Sequence, residues 1–243
     1  MIYSSKQNSL IKKIASLKDK KGRREQGLYV VEGVKMVIEA FKFNQPVTML
    51  IKSADFNYEL PDFNVETIIV SSEVFKFLSD EQSPQGVMAV IKIADLSVKQ
   101  PLSNALILDG VSDPGNLGTI IRTAAASGYK NVYLISCADP FSPKVVRASM
   151  SGIYFVNLHK STYNEVFTAV EGYDILVADM GGENVFKYKP NNKFCIVIGN
   201  EANGVSKTLL DKATKVLSIP MEENFESLNA GVAASIMMYS LKN

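Results

Sequence analysis

The chain has 243 residues, of which 47% are apolar and 21% charged, and its net charge is +1. These values are close to globular averages and exclude wholesale disorder, and the length favours two domains. No apolar run reaches the roughly 18 residues of a membrane helix, and the N-terminus lacks the apolar run of a signal peptide. We therefore expect a protein that stays in the cytoplasm and has no membrane partner.

Cysteine and histidine are too scarce for a metal centre. Cys137 and Cys195 each lie in or beside an apolar run, no CxxC motif is present, and His159 is the single histidine. Structural zinc sites take their four ligands from such residues. We therefore expect neither a metal nor a disulfide, and we interpret both thiols as small buried apolar side chains.

Positive charge is concentrated at the N-terminus. Residues 1–24 hold eight lysines and arginines against Asp19 alone, a net 8 − 1 = +7, which leaves −6 for the rest of the chain. Apolar residues recur at helical spacing up to Gly22, and the segment 1–22 is therefore predicted to be a basic helical arm. Such an arm suits a phosphate backbone, and the alternative is a solvated charged helix. The candidate contacts are Lys12, Lys13, Lys20, Lys21, Arg23 and Arg24.

Residues 23–94 mix strand and helix signals. Strand-like runs occur at 28–33, 47–52, 65–71 and 86–94, and helical periodicity occurs at 34–43 and 71–80. This mixture predicts a small α/β or α+β domain. Residues 95–104 contain Pro101 and show no periodicity, so they are predicted to be a linker.

Residues 105–243 alternate between apolar strand candidates and helix candidates. The strand candidates are 105–110, 131–136, 153–158, 174–180, 194–200 and 215–220. The helix candidates are 118–127, 143–151, 162–171, 205–212 and 227–241. Continuous apolar strands between helices predict a parallel sheet covered on both faces. The ligand site of such a sheet lies at the carboxyl ends of its strands.

The first chemically rich loop follows the strand that ends at Asp109. It is rich in Gly, Asp, Pro and Asn, and it leads into a helix whose free N–H groups favour an anion. Arg122 lies six residues after Asn116, so both side chains can point toward one cleft. The alternative is an ordinary strand-to-helix turn in which Asn116 is a cap and Arg122 a surface charge.

Two further loops come later in the chain. A buried strand delivers Gly199 and Glu201 to its carboxyl end, where glycine lets a ligand approach the backbone and a carboxylate can orient a partner. Glu201 could equally be a cap or a solvated turn residue. The last helix candidate starts at Ser227 and includes Gly231, and its small residues predict very close packing by another backbone segment or a cofactor. A buried C-terminal helix is the alternative there.

In chain order, three motifs resemble those of the SpoU (TrmH) family of SPOUT methyltransferases. They read D-x-x-x-D-P-G-N-x-G-x-x-x-R, I-G-N-E-x-x-G, and I-P-M followed by E-S-L-N. The resemblance covers residues 105–243, including the segment 142–156. The N-terminal half, through YVVEGVKMVIEA, is similar over a shorter stretch to the substrate-binding domain that often precedes this catalytic domain and is itself like a small ribosomal protein.

The resemblance implies an α/β fold in which a C-terminal parallel sheet with a deep trefoil knot follows a small α/β RNA-binding domain. Knots are rare, so pattern rules alone do not propose one. It also implies a homodimer that transfers a methyl group from S-adenosylmethionine to a ribose 2'-hydroxyl of RNA, with ribosomal RNA favoured over transfer RNA. The implied cofactor contacts are Gly199, Ile219 and Leu228, with Ala178, Met180, Glu201, Met221 and Asn229 as secondary candidates.

The resemblance makes Arg122 the central catalytic residue. The residues implied to position it or the substrate are Asn116, Glu201, Ser227 and Asn229. Because arginine is charged at ordinary pH, it cannot simply act as a base. Two roles stay open: Arg122 polarises the hydroxyl beside a substrate phosphate, or it acts in a strongly perturbed site. His159 lies outside the motifs and is the less favoured base.

Two other classes of protein are considered. A non-catalytic RNA-binding protein could keep the fold, but the presence of the motif residues argues against it. A nicotinamide-dependent Rossmann enzyme would explain the alternating strands, but GxGxxG is absent and Asp139 is an unconvincing ribose ligand. The sequence departs from the family at Ala202 and at Ala230–Gly231, and neither change removes a side chain with an implied role.

Overall fold

The computed structural model describes residues 2–224 and 226–242. The chain divides into two compact units. The N-terminal unit comprises Met1–Ala94 and Asp139–Tyr154, and the C-terminal unit comprises Asp95–Ala138 and Phe155–Asn243. The sequence assigned residues 139–154 to the C-terminal domain, whereas here this segment groups with the N-terminal unit. No helix in the described ranges is long and apolar enough to cross a membrane.

Strands and helices alternate along most of the chain. The strands are β1 (Ile2–Tyr3), β2 (Leu28–Glu32), β3 (Val47–Ser53), β4 (Thr67–Val70), β5 (Val87–Lys92), β6 (Ala105–Asp109), β7 (Asn131–Ile135), β8 (Asn157–Lys160), β9 (Asp174–Asn184), β10 (Phe194–Ile198) and β11 (Lys215–Ser218). The α-helices are α1 (Ser9–Ala15), α2 (Lys20–Gln26), α3 (Val34–Lys42), α4 (Ser72–Leu78), α5 (Pro114–Ser127), α6 (Pro143–Ser149), α7 (Tyr163–Ala169), α8 (Lys207–Leu210) and α9 (Ala230–Ser240). Short 3₁₀ helices cover Ser16–Lys18, Met150–Tyr154 and Val185–Lys187.

The N-terminal unit contains a mixed sheet with strand order β1-β4-β3-β5-β2. Helix α1 starts at the cap Asn8, whose side chain accepts hydrogen bonds from two backbone N–H groups of the first turn. Ile11, Ile14 and Leu17 are buried in the same apolar cluster as the inner face of β4. The apolar stripe of the predicted basic arm thus forms part of the core of this unit, and Lys12, Lys13, Lys20 and Lys21 on its basic face are exposed.

Arg23 is buried within the N-terminal unit. Its side chain is 4% exposed, and its Nη1 donates to the carbonyl oxygens of Leu17 at 2.8 Å and Lys18 at 2.6 Å. Its Nη2 lies 2.7 Å from Oδ2 of Asp139, the first residue of the segment 139–154. The prediction that Arg23 contacts RNA is therefore corrected: the guanidinium holds two parts of this unit together.

The segment 139–154 also packs through aromatic side chains. The ring centroids of Phe141 and Tyr29 are 4.9 Å apart, and the Tyr154 hydroxyl donates to the carbonyl oxygen of Met36 at 3.2 Å. A strand was predicted over 153–158, but the structure has a 3₁₀ helix up to Tyr154 and begins β8 at Asn157. The apolar run in the sequence could not distinguish a strand from a 3₁₀ helix, because Ile153 would be buried in both.

The C-terminal unit contains a parallel sheet with strand order β11-β9-β10-β6-β7-β8. Every residue of β6, β7 and β10 is buried, as expected for central strands covered on both faces. The chain reaches the β11 edge and returns through α9, which packs on α5: Thr123 Oγ1 and Ser235 Oγ are 3.0 Å apart. The predicted α/β fold class with a parallel sheet is confirmed, and the trefoil knot stays a prediction.

The predicted linker has no regular secondary structure but is held within the C-terminal unit. The hydroxyls of Tyr133 and Tyr173 donate to the carbonyl oxygens of Lys99 and Pro101, both at 2.6 Å. His159 is 2% exposed, and its Nδ1 lies 2.7 Å from the carbonyl oxygen of Ser97. His159 therefore has a structural role in the fold. This role is consistent with the prediction that His159 is not the catalytic base.

Candidate active site

The carboxyl ends of β6 and β10 meet because the two strands pair in parallel, with Ile198 opposite Leu108. The Asn200 side chain joins the loops that follow these strands by donating to the carbonyl oxygen of Gly110 at 2.7 Å. Its Oδ1 accepts the backbone N–H of Ala202 at 2.9 Å. These bonds fix the tight turn that presents Glu201 beside the loop after β6.

Gly199 has a packing reason to be glycine. A Cβ atom at this position would overlap the backbone of Gly204 and Val205, where the chain folds back against itself. Only a residue without a side chain permits this approach. Its identity is thus explained by the turn, and a cofactor contact at Gly199 stays a prediction.

Three of the residues implied to be catalytic are joined by directed hydrogen bonds. Asn229 Nδ2 donates to Asn116 Oδ1 at 2.8 Å, and Asn116 Nδ2 donates to Glu201 Oε1 at 2.9 Å. Asn229 also caps α9, since its Oδ1 accepts the N–H of Val232 at 3.2 Å. The carboxylate at one end can only accept and the N–H at the other can only donate, so both amides have a single orientation. We call this chain of contacts the amide relay.

Ser112 completes the contacts of Glu201. Its N–H and hydroxyl lie 3.4 Å and 3.3 Å from Glu201 Oε2. Burial raises the pKa of Glu201, but the Asn116 amide and the backbone N–H groups of Glu201 itself, Ser112 and Asp113 outweigh this effect and hold the pKa below the ordinary 4.5. Glu201 is therefore a carboxylate acceptor at neutral pH. The sequence reading missed Ser112, although it lies inside the first motif.

Arg122 is placed by α5, the helix that also carries Asn116. Asp113 caps this helix by accepting the N–H of Asn116 at 2.8 Å. Arg122 lies about two turns further on, is exposed, and forms no hydrogen bond with the part of the chain that the structure describes. The structure thus gathers Asn116, Glu201 and Asn229, and it leaves Arg122 outside the amide relay.

A cavity of about 130 Å³ lies beside the middle of β9, the end of β11 and the start of α9. Its lining includes five of the predicted cofactor residues: Ala178, Met180, Ile219, Met221 and Leu228. Leu217, Ala233 and Met237 add apolar surface, and Asp179 and Ser227 supply a carboxylate and a hydroxyl. These walls suit a ligand that combines an apolar ring with a positive charge. Gly199 does not line this cavity.

The predicted helix over 227–241 begins later, at Ala230, because Asn229 is its cap. The close packing predicted around Gly231 is present. A Cβ atom there would lie 3.2 Å from Cβ and Cγ2 of Thr119 on α5. The side chain of Thr119 thus occupies the space that glycine leaves. The start of α9 can therefore lie beside both the amide relay and the cavity.

The remaining predicted contacts lie on α1 and α2 of the N-terminal unit. Lys12, Lys13, Lys20, Lys21 and Arg24 are all exposed, as phosphate contacts need to be. Lys21 is 3.9 Å from Glu25 Oε1 in a solvent-exposed pair, which contributes little. In residues 2–224 and 226–242, no group of three or more His, Cys, Asp or Glu could hold a metal ion.

Comparisons with protein families match both halves of the chain. Residues 103–239 match the SpoU rRNA Methylase family, and residues 8–89 match the MRM3-like substrate binding domain. The 23S rRNA (guanosine(2553)-2'-O)-methyltransferase RlmP of Bacillus subtilis is 28% identical, with 98% of each chain covered. A putative TrmH family tRNA/rRNA methyltransferase of Staphylococcus aureus is 32% identical, with 87% of this chain and 94% of the relative covered.

Two solved structures are similar over nearly the whole chain. A putative RNA methyltransferase of the TrmH family from Porphyromonas gingivalis has a TM-score of 0.83 at 32% identity, covering 96% of each chain. An AdoMet-bound rRNA methyltransferase from Sinorhizobium meliloti has a TM-score of 0.88 at 25% identity, covering 99% of this chain and 96% of the other.

Proposed function

The chain belongs to the SpoU rRNA methylase family, and on this premise we propose that it methylates a ribose 2'-hydroxyl of ribosomal RNA with S-adenosylmethionine. One observation carries the proposal. Asn229 caps α9 as the end of the amide relay, and the preceding residues Ser227 and Leu228 line the cavity predicted for the cofactor. The residues at the start of α9 would therefore contact the methyl donor and also hold the side chains that position the ribose hydroxyl.

The residues around the cavity fit S-adenosylmethionine. Leu217, Ile219 and Leu228 offer apolar surface to the adenine, and Asp179 offers a negative charge to a ligand that carries a sulfonium and an ammonium group. When bound, the cofactor supplies an electrophilic methyl group with a good leaving group. The protein must then hold the acceptor oxygen in line with that methyl and help to remove its proton.

Arg122 is assigned to the substrate and not to proton abstraction. Arginine side chains stay charged at ordinary pH, and Arg122 is exposed, so its guanidinium is accessible to a substrate. We assign its guanidinium to a substrate phosphate and to polarising the adjacent 2'-hydroxyl. The amide relay offers oriented groups for the ribose, because Asn116 and Asn229 each keep an amide hydrogen that the relay does not use.

The N-terminal unit is assigned to RNA binding, which its match to a substrate-binding domain supports. Lys12, Lys13, Lys20, Lys21 and Arg24 would contact phosphates there. Transfer RNA is the alternative substrate, since the S. aureus relative is described as a tRNA/rRNA methyltransferase. We place the reaction in the cytoplasm, where both RNAs are available.

A homodimer is part of the proposal. Val232 and Tyr239 lie seven residues apart on one face of α9 and are 47% and 53% exposed, and Phe186 is 61% exposed. Exposed large apolar side chains on one helix face are typical of an interface. A second copy of the chain would cover them, and a Tyr239→Glu variant should shift the mass in sedimentation or light scattering toward the monomer.

Two measurements test the function. Calorimetry with S-adenosylmethionine should show binding to the purified protein, and mapping ribose methylation in total RNA from cells with and without the gene should reveal a modification that depends on the gene. We expect that modification in ribosomal RNA. A site in transfer RNA would replace the substrate assignment, and a protein that binds no cofactor would contradict the reaction itself.

A further inference from the structure

The N-terminal unit contains a second cavity, of about 200 Å³. It is lined by α1, β2, α3, α6 and the loop after α4, and none of the motif residues lines it. Its walls are mainly apolar, with Leu17, Met36, Leu78 and Val146 each 2–6% exposed. A dry cavity of about 150 Å³ can hold benzene, so this one, which is larger and open on one side, can admit an aromatic ring.

Three carboxylates line this cavity. Those of Asp80 and Glu81 pair with Arg147 Nη1 at 3.0 Å and 3.3 Å, which leaves the third, that of Glu32, for a ligand. Its Oε1 accepts the hydroxyl of Ser79 at 2.6 Å, and its Oε2 accepts the N–H of Asp80 at 3.3 Å. Burial raises its pKa above the ordinary 4.5, although these two hydrogen bonds oppose the shift. A carboxylate has more acceptor sites than two donors fill. Glu32 can therefore accept further hydrogen bonds from a ligand in the cavity.

The wall formed by residues 79–85 is held in place on several sides. Lys18 Nζ donates to the carbonyl oxygen of Ser79 at 2.7 Å, and Arg147 Nη1 donates to Oδ2 of Asp80 at 3.0 Å. At the other end, Gln85 Oε1 accepts the N–H of Val34 at 2.9 Å. Binding would need little ordering of this loop, and a preformed site loses less entropy when it takes a ligand.

We propose that this cavity binds one unstacked guanine base of the RNA substrate, with Glu32 accepting hydrogen bonds from its Watson–Crick edge. The inference rests on the proposed function, which supplies RNA as the ligand. Proteins read RNA mainly through unstacked bases that pack on side chains and are hydrogen-bonded along their edges. Guanine presents adjacent imino and amino N–H groups to a carboxylate, whereas the other bases present only one of the two. Lys35, exposed beside the cavity, suits the phosphate.

The test uses the full-length protein with ¹³C-labelled methionine methyl groups. Met36 and Met150 line the cavity and report its occupancy by NMR. The four nucleoside 5'-monophosphates are the probes. Because all four carry the same phosphate, a difference in affinity between them reports the base. Guanosine monophosphate should shift both methyl signals saturably and bind more tightly than the other three. Glu32→Gln should weaken its binding about tenfold, because a charged acceptor is lost.

Glu59→Gln is the matched control, because Glu59 is an exposed carboxylate of the same unit and does not line the cavity. Its affinity for guanosine monophosphate should equal that of the wild type. Unmoved methyl signals, equal binding of all four nucleotides, or unchanged affinity in a folded Glu32→Gln variant would each overturn the inference. If Glu32→Gln does not fold, the wild-type titration decides alone.

The readouts separate this inference from the proposed function. A wild type that binds S-adenosylmethionine and methylates RNA, but whose methyl signals ignore nucleotides, refutes the guanine site alone. A wild type that binds guanosine monophosphate but no cofactor refutes the methyl transfer and keeps the site. In the methylation assay, Glu32→Gln should raise KM for RNA and leave kcat unchanged, as loss of substrate binding away from the reacting atoms predicts.

Discussion

Helices α2 and α5 each carry an arginine, and the two arginines are used in opposite ways. Arg23 on α2 is 4% exposed and bonded to two carbonyl oxygens and to Asp139. Arg122 on α5 is exposed and has no hydrogen-bond partner in the described part of the chain. A guanidinium whose donors are used by the fold stabilises it, whereas one with free donors can serve a substrate. The burial of Arg23 therefore indicates a structural role, and the exposure of Arg122 is compatible with substrate binding.

The largest effect should come from the exposed arginine. Arg122→Ala should lower the methylation rate roughly 10³-fold, as loss of a group that stabilises developing charge does. Affinity for S-adenosylmethionine should not change, since Arg122 does not line the cavity that we propose for the cofactor. Single-turnover methylation and calorimetry measure the two quantities. Lys130→Ala, an exposed cation just after α5 with no assigned role, is the control, and full activity of Arg122→Ala would remove the catalytic assignment.

The buried arginine should affect stability. Arg23→Ala leaves Asp139 without its charge partner, and breaking a buried pair in this way costs about 3 kcal/mol in the free energy of unfolding. Urea denaturation measures this difference. Arg24→Ala, one residue away on the exposed face, should change the free energy of unfolding by less than about 0.5 kcal/mol. Equal losses for the two variants would contradict the contrast.

Exposed cations near Arg23 should affect RNA binding instead. Replacing Lys12, Lys13, Lys20 and Lys21 together with Gln should weaken RNA affinity and reduce the slope of log K against log salt concentration by up to about 3. Filter binding at several salt concentrations measures this slope, and cofactor affinity is the internal control. If affinity and slope stayed the same, these lysines would form only a solvated face.

The smallest predicted effect concerns Glu201 next to α5. Asn116→Ala removes the amide that holds down the pKa of Glu201, so this pKa should rise. A carboxyl group with a lowered folded pKa contributes stability at neutral pH, and that contribution is lost as the pH falls through the lowered value. NMR titration of the carboxyl carbon in both proteins measures the shift. Asn164→Ala, an exposed site on α7, should leave it unaltered.

The sequence predicted the parallel sheet because its strands are continuous apolar runs bounded by turns. It also named Asn116, Glu201 and Asn229, which the structure joins. It could not show that Arg23 has a charge partner inside the fold, because that partner, Asp139, lies 116 residues away in the sequence. It missed Ser112 for a similar reason, since the contact with Glu201 exists only once β6 and β10 pair.

The grouping of residues 139–154 with the N-terminal unit makes that unit discontinuous along the chain. Tyr29 and Met36 have neighbours, Phe141 and Tyr154, that are encoded more than a hundred codons downstream. A chimera that exchanges only the first 94 residues between relatives would pair these side chains with foreign partners. Recombination among such genes should therefore preserve function only where both stretches are inherited together.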